Sequence, residues 1–256
     1  METSIITTDL MVMLFFAAFA AGLVDSIAGG GGLISVPALL FAGVPPQLAL
    51  GTNKLQGSFG SFAAAYNYIR NGQASLKNGG TGVLFTLLGA IAGAWSVQQL
   101  NPEFIKPLIP LLLVVVFVYT LFSRKLGYED QSARLSWSPF WVISGTLLGF
   151  YDGFFGPGTG SFWAVAIIYF LGFNMTRASG YTKIMNFVSN IVALAMFIMG
   201  GNVCYSVGLV MAAGQTVGAI IGSGLAIRKG AAFIRPVFLT VVFLTIVRLV
   251  YLSYFT

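Results

Sequence analysis

Residues 10–28 read LMVMLFFAAFAAGLVDSIA, and the next four, Gly29-Gly30-Gly31-Gly32, are all glycine. At about 1.5 Å per residue the first run is long enough to cross the hydrocarbon core of a bilayer as a helix. It nevertheless carries a carboxylate, Asp25, close to its end. Consecutive glycines leave the backbone unrestricted and break the helix there. A short apolar piece follows, Leu33 to Ala42, about half a membrane thick and ended by Pro45-Pro46. A longer segment, from about Leu48 to Ile69, holds Asn53, Lys54 and Gln56 inside it. Two uninterrupted apolar spans lie near Gly79–Val97 and Phe104–Phe122.

Composition agrees with a chain folded in lipid. Of its 256 residues 57% are hydrophobic and only 8% charged, where a soluble domain carries about a quarter. Mean hydropathy is +0.88. Hydrocarbon gives backbone groups no water to bond, so spans must be helices or a closed barrel. Barrel strands alternate apolar and polar residues over about ten positions. The runs here are longer and do not alternate, so we expect an all-α polytopic fold forming one transmembrane domain over residues 1–256. Met1-Glu2-Thr3-Ser4 offers no basic region and Asp9 precedes the first run, which favours a retained first span over a cleaved signal peptide. A net charge of +6 would point a soluble protein towards nucleic acid. Here the bases lie in short loops, so they read as a topology signal and no nucleic-acid partner is expected. With no His and a single Cys, Cys204, zinc, haem and iron–sulfur chemistry lack a ligand set, and neither metal nor cofactor is expected.

The segment pattern occurs twice. After a polar linker, 123–138, a span from about Trp141 ends at Phe150-Tyr151-Asp152, and Gly156-Pro157-Gly158-Thr159-Gly160 breaks the chain. A short piece, Ser161 to Phe173, precedes a segment from about Ser179 to Met199 that carries Lys183, Asn186 and Asn190. Two spans near Val203–Ile227 and Ala232–Tyr251 follow. Gly22-Leu23-Val24-Asp25 matches Gly149-Phe150-Tyr151-Asp152 at an offset of 127, and Gly51-Thr52-Asn53-Lys54 matches Gly180-Tyr181-Thr182-Lys183 at 129. The two-residue difference is a small insertion between the breaks and the second segments. We expect repeat one over about 10–123 and repeat two over about 139–256.

Each repeat has five segments, and an odd-numbered repeat fused to its copy inserts upside down. Loop charge agrees. Arg70 and Lys77, then Arg124, Lys125 and Arg134, then Arg177, then Arg228, Lys229 and Arg235 all fall on one side by counting crossings. Glu2 and Asp9, the Asn101–Glu103 turn and the Gly200–Asn202 turn fall on the other. The basic side is expected to be cytoplasmic, with both termini outside.

Asp25, Asp152, Lys54 and Lys183 sit in or beside apolar segments at repeat-related positions. An ionised group at the bilayer centre costs about 2.5 kcal/mol or more, so such groups pair or work. The plainer reading makes them two structural Asp–Lys salt bridges that hold the repeats together. The functional reading draws on the glycine breaks. Gly89, Gly93, Gly218 and Gly222 have the spacing of close helix packing and need no other explanation. Four consecutive glycines, or Gly-Pro-Gly-Thr-Gly, ahead of a short helix instead offer backbone N–H donors and a partial positive charge to an anion. Broken segments at corresponding places in two inverted halves are a pointer to a transporter site. We therefore expect a small oxyanion held by Lys54 and Lys183, by Asn53 and Thr182 beside them, and by Gly29, Gly30, Gly31, Gly32, Gly156, Gly158, Thr159 and Gly160. Asp25 and Asp152 are expected to serve coupling, or to restrain the lysines in the empty site.

In Asp25-Ser26-Ile27-Ala28-Gly29-Gly30-Gly31-Gly32-Leu33, Val36-Pro37-Ala38, Thr52-Asn53-Lys54-Leu55-Gln56, Gly149-Phe150-Tyr151-Asp152-Gly153-Phe154-Phe155-Gly156-Pro157 and Lys183-Ile184-Met185-Asn186 the sequence resembles the sulfite exporter TauE/SafE family and its YfcA-like members. The resemblance runs over nearly the whole chain. It implies a transporter, not an enzyme, in the bacterial cytoplasmic membrane, exporting small sulfur-containing anions such as sulfite, sulfoacetate and related sulfonates. Two other classes compete. A scaffold that moves no substrate would have the same fold. An intramembrane aspartyl protease would use a Tyr-Asp pair, here Tyr151-Asp152, and a Pro-Ala-Leu motif, here Pro37-Ala38-Leu39. Val24 rather than Gly precedes Asp25, and each carboxylate is expected to have a lysine partner downstream in its own repeat, which opposes the shared proton of an acid dyad.

Overall fold

The computed structural model describes residues 7–101, 103, 129–230, 233 and 236. The expected span near Phe104–Phe122, nearly all of that near Ala232–Tyr251, and Arg124 and Lys125 lie outside the described residues. Among the described residues there are eight helices and no strand. They are α1 Thr8–Ala28, α2 Gly32–Phe41, α3 Pro46–Arg70, α4 Leu76–Gln98, α5 Trp137–Phe154, α6 Thr159–Ala166, α7 Met175–Met199 and α8 Tyr205–Lys229. Four of them, α1, α4, α7 and α8, are long and apolar enough to cross a membrane. Helix α3 has the same 25 residues as α7, and its low hydropathy comes from a buried polar row that includes Thr52, Asn53, Lys54 and Gln56.

Several helices begin a turn before the apolar run that marks them, because capping residues are polar. Asn174 caps α7, its side chain accepting the Arg177 N–H at 3.0 Å. Pro46 does not close the second segment but opens α3, where its fixed φ suits a first helical position. Helix α6 continues into a π-helical turn, Ile167–Leu171. The offset is already 129 where the short helices end, at Gly43 and Gly172, both at positive φ, so the two extra residues of the second repeat fall within α6 and that π turn, whose wider winding takes up extra residues.

Helices α3 and α7 lie side by side and antiparallel, Gly51 facing Phe197, Phe62 facing Phe187 and Tyr68 facing Gly180, while α1 packs along α8 and α4 packs along α5. The last two contacts are equivalent by sequence. A Cβ on Gly89 of α4 would lie 2.8 Å from the Phe150 nitrogen of α5, and one on Gly218 of α8 would lie 2.8 Å from the Leu23 nitrogen of α1. A Cβ on Gly93 would meet the Phe150 carbonyl oxygen, and one on Gly222 would meet the corresponding Leu23 carbonyl oxygen. Small residues thus let backbones touch, as the spacing predicts.

Loops cluster at two ends. At one, Asp130 of the linker accepts the Asn174 N–H and the Arg177 guanidinium, each at 2.6 Å. Burial alone would raise the Asp130 pKa, but these two donors outweigh it and hold the carboxyl below the ordinary carboxylate range. At the other, Asn202 donates to Gln98 at 3.1 Å and Gln98 donates to the Met196 carbonyl at 3.3 Å. The linker therefore shares an end with the start of α7, and the ends of α4 and α7 share the other.

Candidate functional site

Asp25 lies in the last turn of α1 and Asp152 in the last turn of α5, each just ahead of its break. The breaks meet backbone to backbone. A Cβ on Gly29 would sit 2.5 Å from the Gly160 carbonyl carbon, and one on Gly32 would sit 2.9 Å from the Pro157 Cα. Between them is a cavity of about 30 Å³ lined by Asp25, Gly30, Gly32, Asn53, Asp152, Gly156, Gly158, Thr159 and Gly160, and by Gly57, Asn186, Asn190 and Gln215. The first nine were expected from the sequence.

The lysines pair across the repeats and not within them, which corrects the expectation that each carboxylate is partnered by the lysine of its own repeat. Lys54 of α3 donates to Asp152 Oδ1 at 2.6 Å, and Lys183 of α7 donates to Asp25 Oδ2 at 2.8 Å. The cause is packing. Helices α3 and α7 lie side by side and antiparallel, and each brings its lysine to the break that belongs to the other half. Both ammonium groups are buried, Lys54 at 1% and Lys183 at 0% exposure. Glycine makes room for them: a Cβ on Gly156 would lie 2.7 Å from Lys54 Nζ, and one on Gly160 would lie 3.4 Å from Lys183 Nζ.

The two pairs differ in their other partners. Asp25 Oδ1 accepts the Gly30 and Gly31 N–H groups, both at 3.1 Å, so the amides expected to face a substrate hold a carboxylate of the chain itself. Asp152 Oδ2 instead accepts the Ser189 hydroxyl, and Lys54 also donates to Asn190 Oδ1 at 3.2 Å. Asp25 keeps 17% of its side chain exposed, Asp152 only 4%. Asn53 Oδ1 accepts from Ser35 at 2.6 Å and Gln56 at 3.0 Å.

Some expected residues are elsewhere. Gly29 is spent on the contact with Gly160, Gly31 packs under Asp25, and Thr182 is buried without lining the cavity. Lys54 and Lys183 stand behind their carboxylates. The residues that sequence reasoning left out of the site carried a signal. Asn186 and Asn190 follow Lys183 at spacings of three and seven, one helical face, and Gln215 is a lone amide in an apolar helix. Asn186 Oδ1, Gln215 Oε1 and Ser161 Oγ are buried with no hydrogen-bond partner. Buried polar atoms are normally satisfied, so such groups at a cavity need an explanation. Among the described residues no group of His, Cys, Asp and Glu could hold a metal.

The sulfite exporter TauE/SafE family matches residues 14–249. A protein of Haemophilus influenzae named "Probable membrane transporter protein" is 41% identical over 95% of this chain and 95% of its own. YfcA of Escherichia coli K12, named "Probable membrane transporter protein", is 42% identical over 96% of this chain and 91% of its own. YdhB of Bacillus subtilis, similarly named, is 25% identical over 88% and 96%. No solved structure matches.

Proposed function

From the premise that the chain belongs to the sulfite exporter TauE/SafE family, and so is a multi-pass membrane transporter and not an enzyme, we propose that it exports a small sulfur-containing oxyanion such as sulfite or sulfoacetate across the bacterial inner membrane. The observation that carries this reading is the cavity at the paired breaks. Backbone amides and a buried ammonium there already hold one oxyanion, the Asp25 carboxylate. Lys183 supplies the charge, Asn53 and Asn186 the short polar groups, and the glycines the close approach. The scaffold and protease readings lose ground at the same place. A scaffold has no use for unsatisfied polar groups around a cavity, and each carboxylate is bound to a lysine.

Proteoliposomes loaded with sulfite or sulfoacetate test the proposal. Both should be moved in preference to chloride or phosphate. Lys183→Met removes a charge-assisted hydrogen bond worth about 1.5–3 kcal/mol, so affinity should fall roughly ten- to a hundredfold. Normal affinity in a well-folded Lys183→Met protein would reject the site.

We further propose that the halves are inverted repeats, with the termini outside and the linker in the cytoplasm. Joint placement of the linker with Arg177, and of the 98–101 and 200–202 turns at the opposite end, supports this. On a Cys204→Ser background, cysteines replacing exposed Lys77 and Met199 should react with an impermeant thiol reagent from opposite sides. Reaction of both from one side would sink the inverted arrangement.

A further inference from the structure

We propose that Asp25 is an internal stand-in for the transported anion: the Gly30 and Gly31 amides and the Lys183 ammonium hold either its carboxylate or the substrate oxyanion, and the exchange places one proton on Asp25. The inference rests on the reading that the anion binds at these breaks. All three donors are filled by Asp25, at 3.1, 3.1 and 2.8 Å. A carboxylate and a sulfonate or sulfite ask for the same donors, and two negative groups cannot share one small set without a proton. Protonation removes the ion pair with Lys183 and turns one Asp25 oxygen from an acceptor into a donor. The cavity holds what that donor needs. Asn186 Oδ1 and Gln215 Oε1 are buried acceptors with nothing bound to them.

The second repeat lacks the same device. The position corresponding to Gly30 at the offset of 127 is Pro157, which has no N–H to give. Asp152 is closed in by Lys54 and Ser189 and stays paired. The charged or titratable groups around Asp25 are few. Lys183 reaches it from α7, and buried Tyr68 on α3 donates to the neighbouring Ser26 carbonyl at 2.8 Å. Asp152 shares the cavity but is neutralised by Lys54. In the exchange a proton from water adds to an Asp25 oxygen as the anion arrives and returns to water as the anion leaves. A monovalent oxyanion then crosses with its proton as a neutral pair, whereas sulfoacetate, with sulfonate and carboxylate both ionised, crosses with its proton as one net negative charge.

Titration calorimetry of the purified full chain with sulfoacetate, in buffers of different ionisation enthalpy, counts the protons. The probe stays fully ionised between about pH 6 and pH 8, so its own titration does not intrude. One proton should be taken up per anion, and affinity should fall about tenfold for each pH unit of rise. Asp25→Asn should abolish the uptake, flatten the pH dependence and bind at least about tenfold tighter than wild type at pH 8. Binding without proton uptake, or uptake lost in Asp152→Asn and kept in Asp25→Asn, overturns the inference. If Lys183→Met still weakens binding in that case, the site itself stands. Equal binding by wild type and Lys183→Met, or none by either, overturns the site and the inference with it. Should Asp25→Asn fail to fold, the wild-type proton count decides alone.

Discussion

Lys54→Met is expected to cost the folded protein about 3–5 kcal/mol and to recover most of that loss when Asp152→Asn is added. From the sequence, the substitution reads as the loss of a binding charge with little change in packing. The structure puts stability first. Lys54 Nζ lies 2.6 Å from Asp152 Oδ1, and the two side chains are 1% and 4% exposed. Methionine fills the volume of the lysine stem but leaves a carboxylate in the interior with only the Ser189 hydroxyl. An unpaired buried charge is the expensive outcome, more so than the absence of the pair. Asparagine at 152 removes that charge and keeps an acceptor for Ser189. Unfolding of wild type, both single variants and the double variant in mixed micelles, followed by tryptophan fluorescence, gives the coupling directly. Losses that simply add would mean that the pair is not a unit. Lys183→Met should be milder, because Asp25 keeps two amide donors and some access to the cavity.

That contrast marks where the sequence stops being informative. Segment order, both breaks and the four intramembrane charges were legible because hydrocarbon imposes long apolar runs and penalises every exception. The partner of each lysine was not legible. Lys54 and Asp152 are 98 residues apart, and only the packing of the two halves against each other brings them together. The state of the Gly30 and Gly31 amides was hidden for a related reason. A glycine run shows that N–H groups are free, but Asp25 reaches forward past the end of α1 to take them. Gln215 was overlooked because a single amide in a smooth apolar span has no periodic signature. Its role follows from α8 lying against α3, where the Gln215 side chain packs on Gly60.

Gly29→Ala is expected to leave little folded protein after detergent extraction, while Gly43→Ala, also at a positive φ, is expected to fold and transport. Both glycines occupy conformations that L side chains rarely adopt, φ +76° at Gly29 and +81° at Gly43. Gly29 also has ψ 156°, a combination open essentially to glycine alone and worth about 1–3 kcal/mol of strain for any other residue. Space separates the two further. Nothing lies within 4 Å of a Cβ at Gly43, so alanine there meets only the backbone term, about 1–2 kcal/mol. At Gly29 the new methyl would stand 2.5 Å from the Gly160 carbonyl carbon, 2.7 Å from its Cα and 2.7 Å from the Ser161 nitrogen. These are backbone atoms of the opposite break and cannot rotate away. Overpacking adds about 1–3 kcal/mol, so the total reaches roughly 2–6 kcal/mol, a large part of the stability of an ordinary domain. Relief is possible only by separating the breaks, which would pull Lys183 on its neighbouring helix away from Asp25 and open the cavity. Folded yield and thermal midpoint of the two variants, measured side by side, decide the matter. Equal behaviour of Gly29→Ala and Gly43→Ala would show that backbone conformation, and not contact between the two breaks, is what glycine serves at position 29.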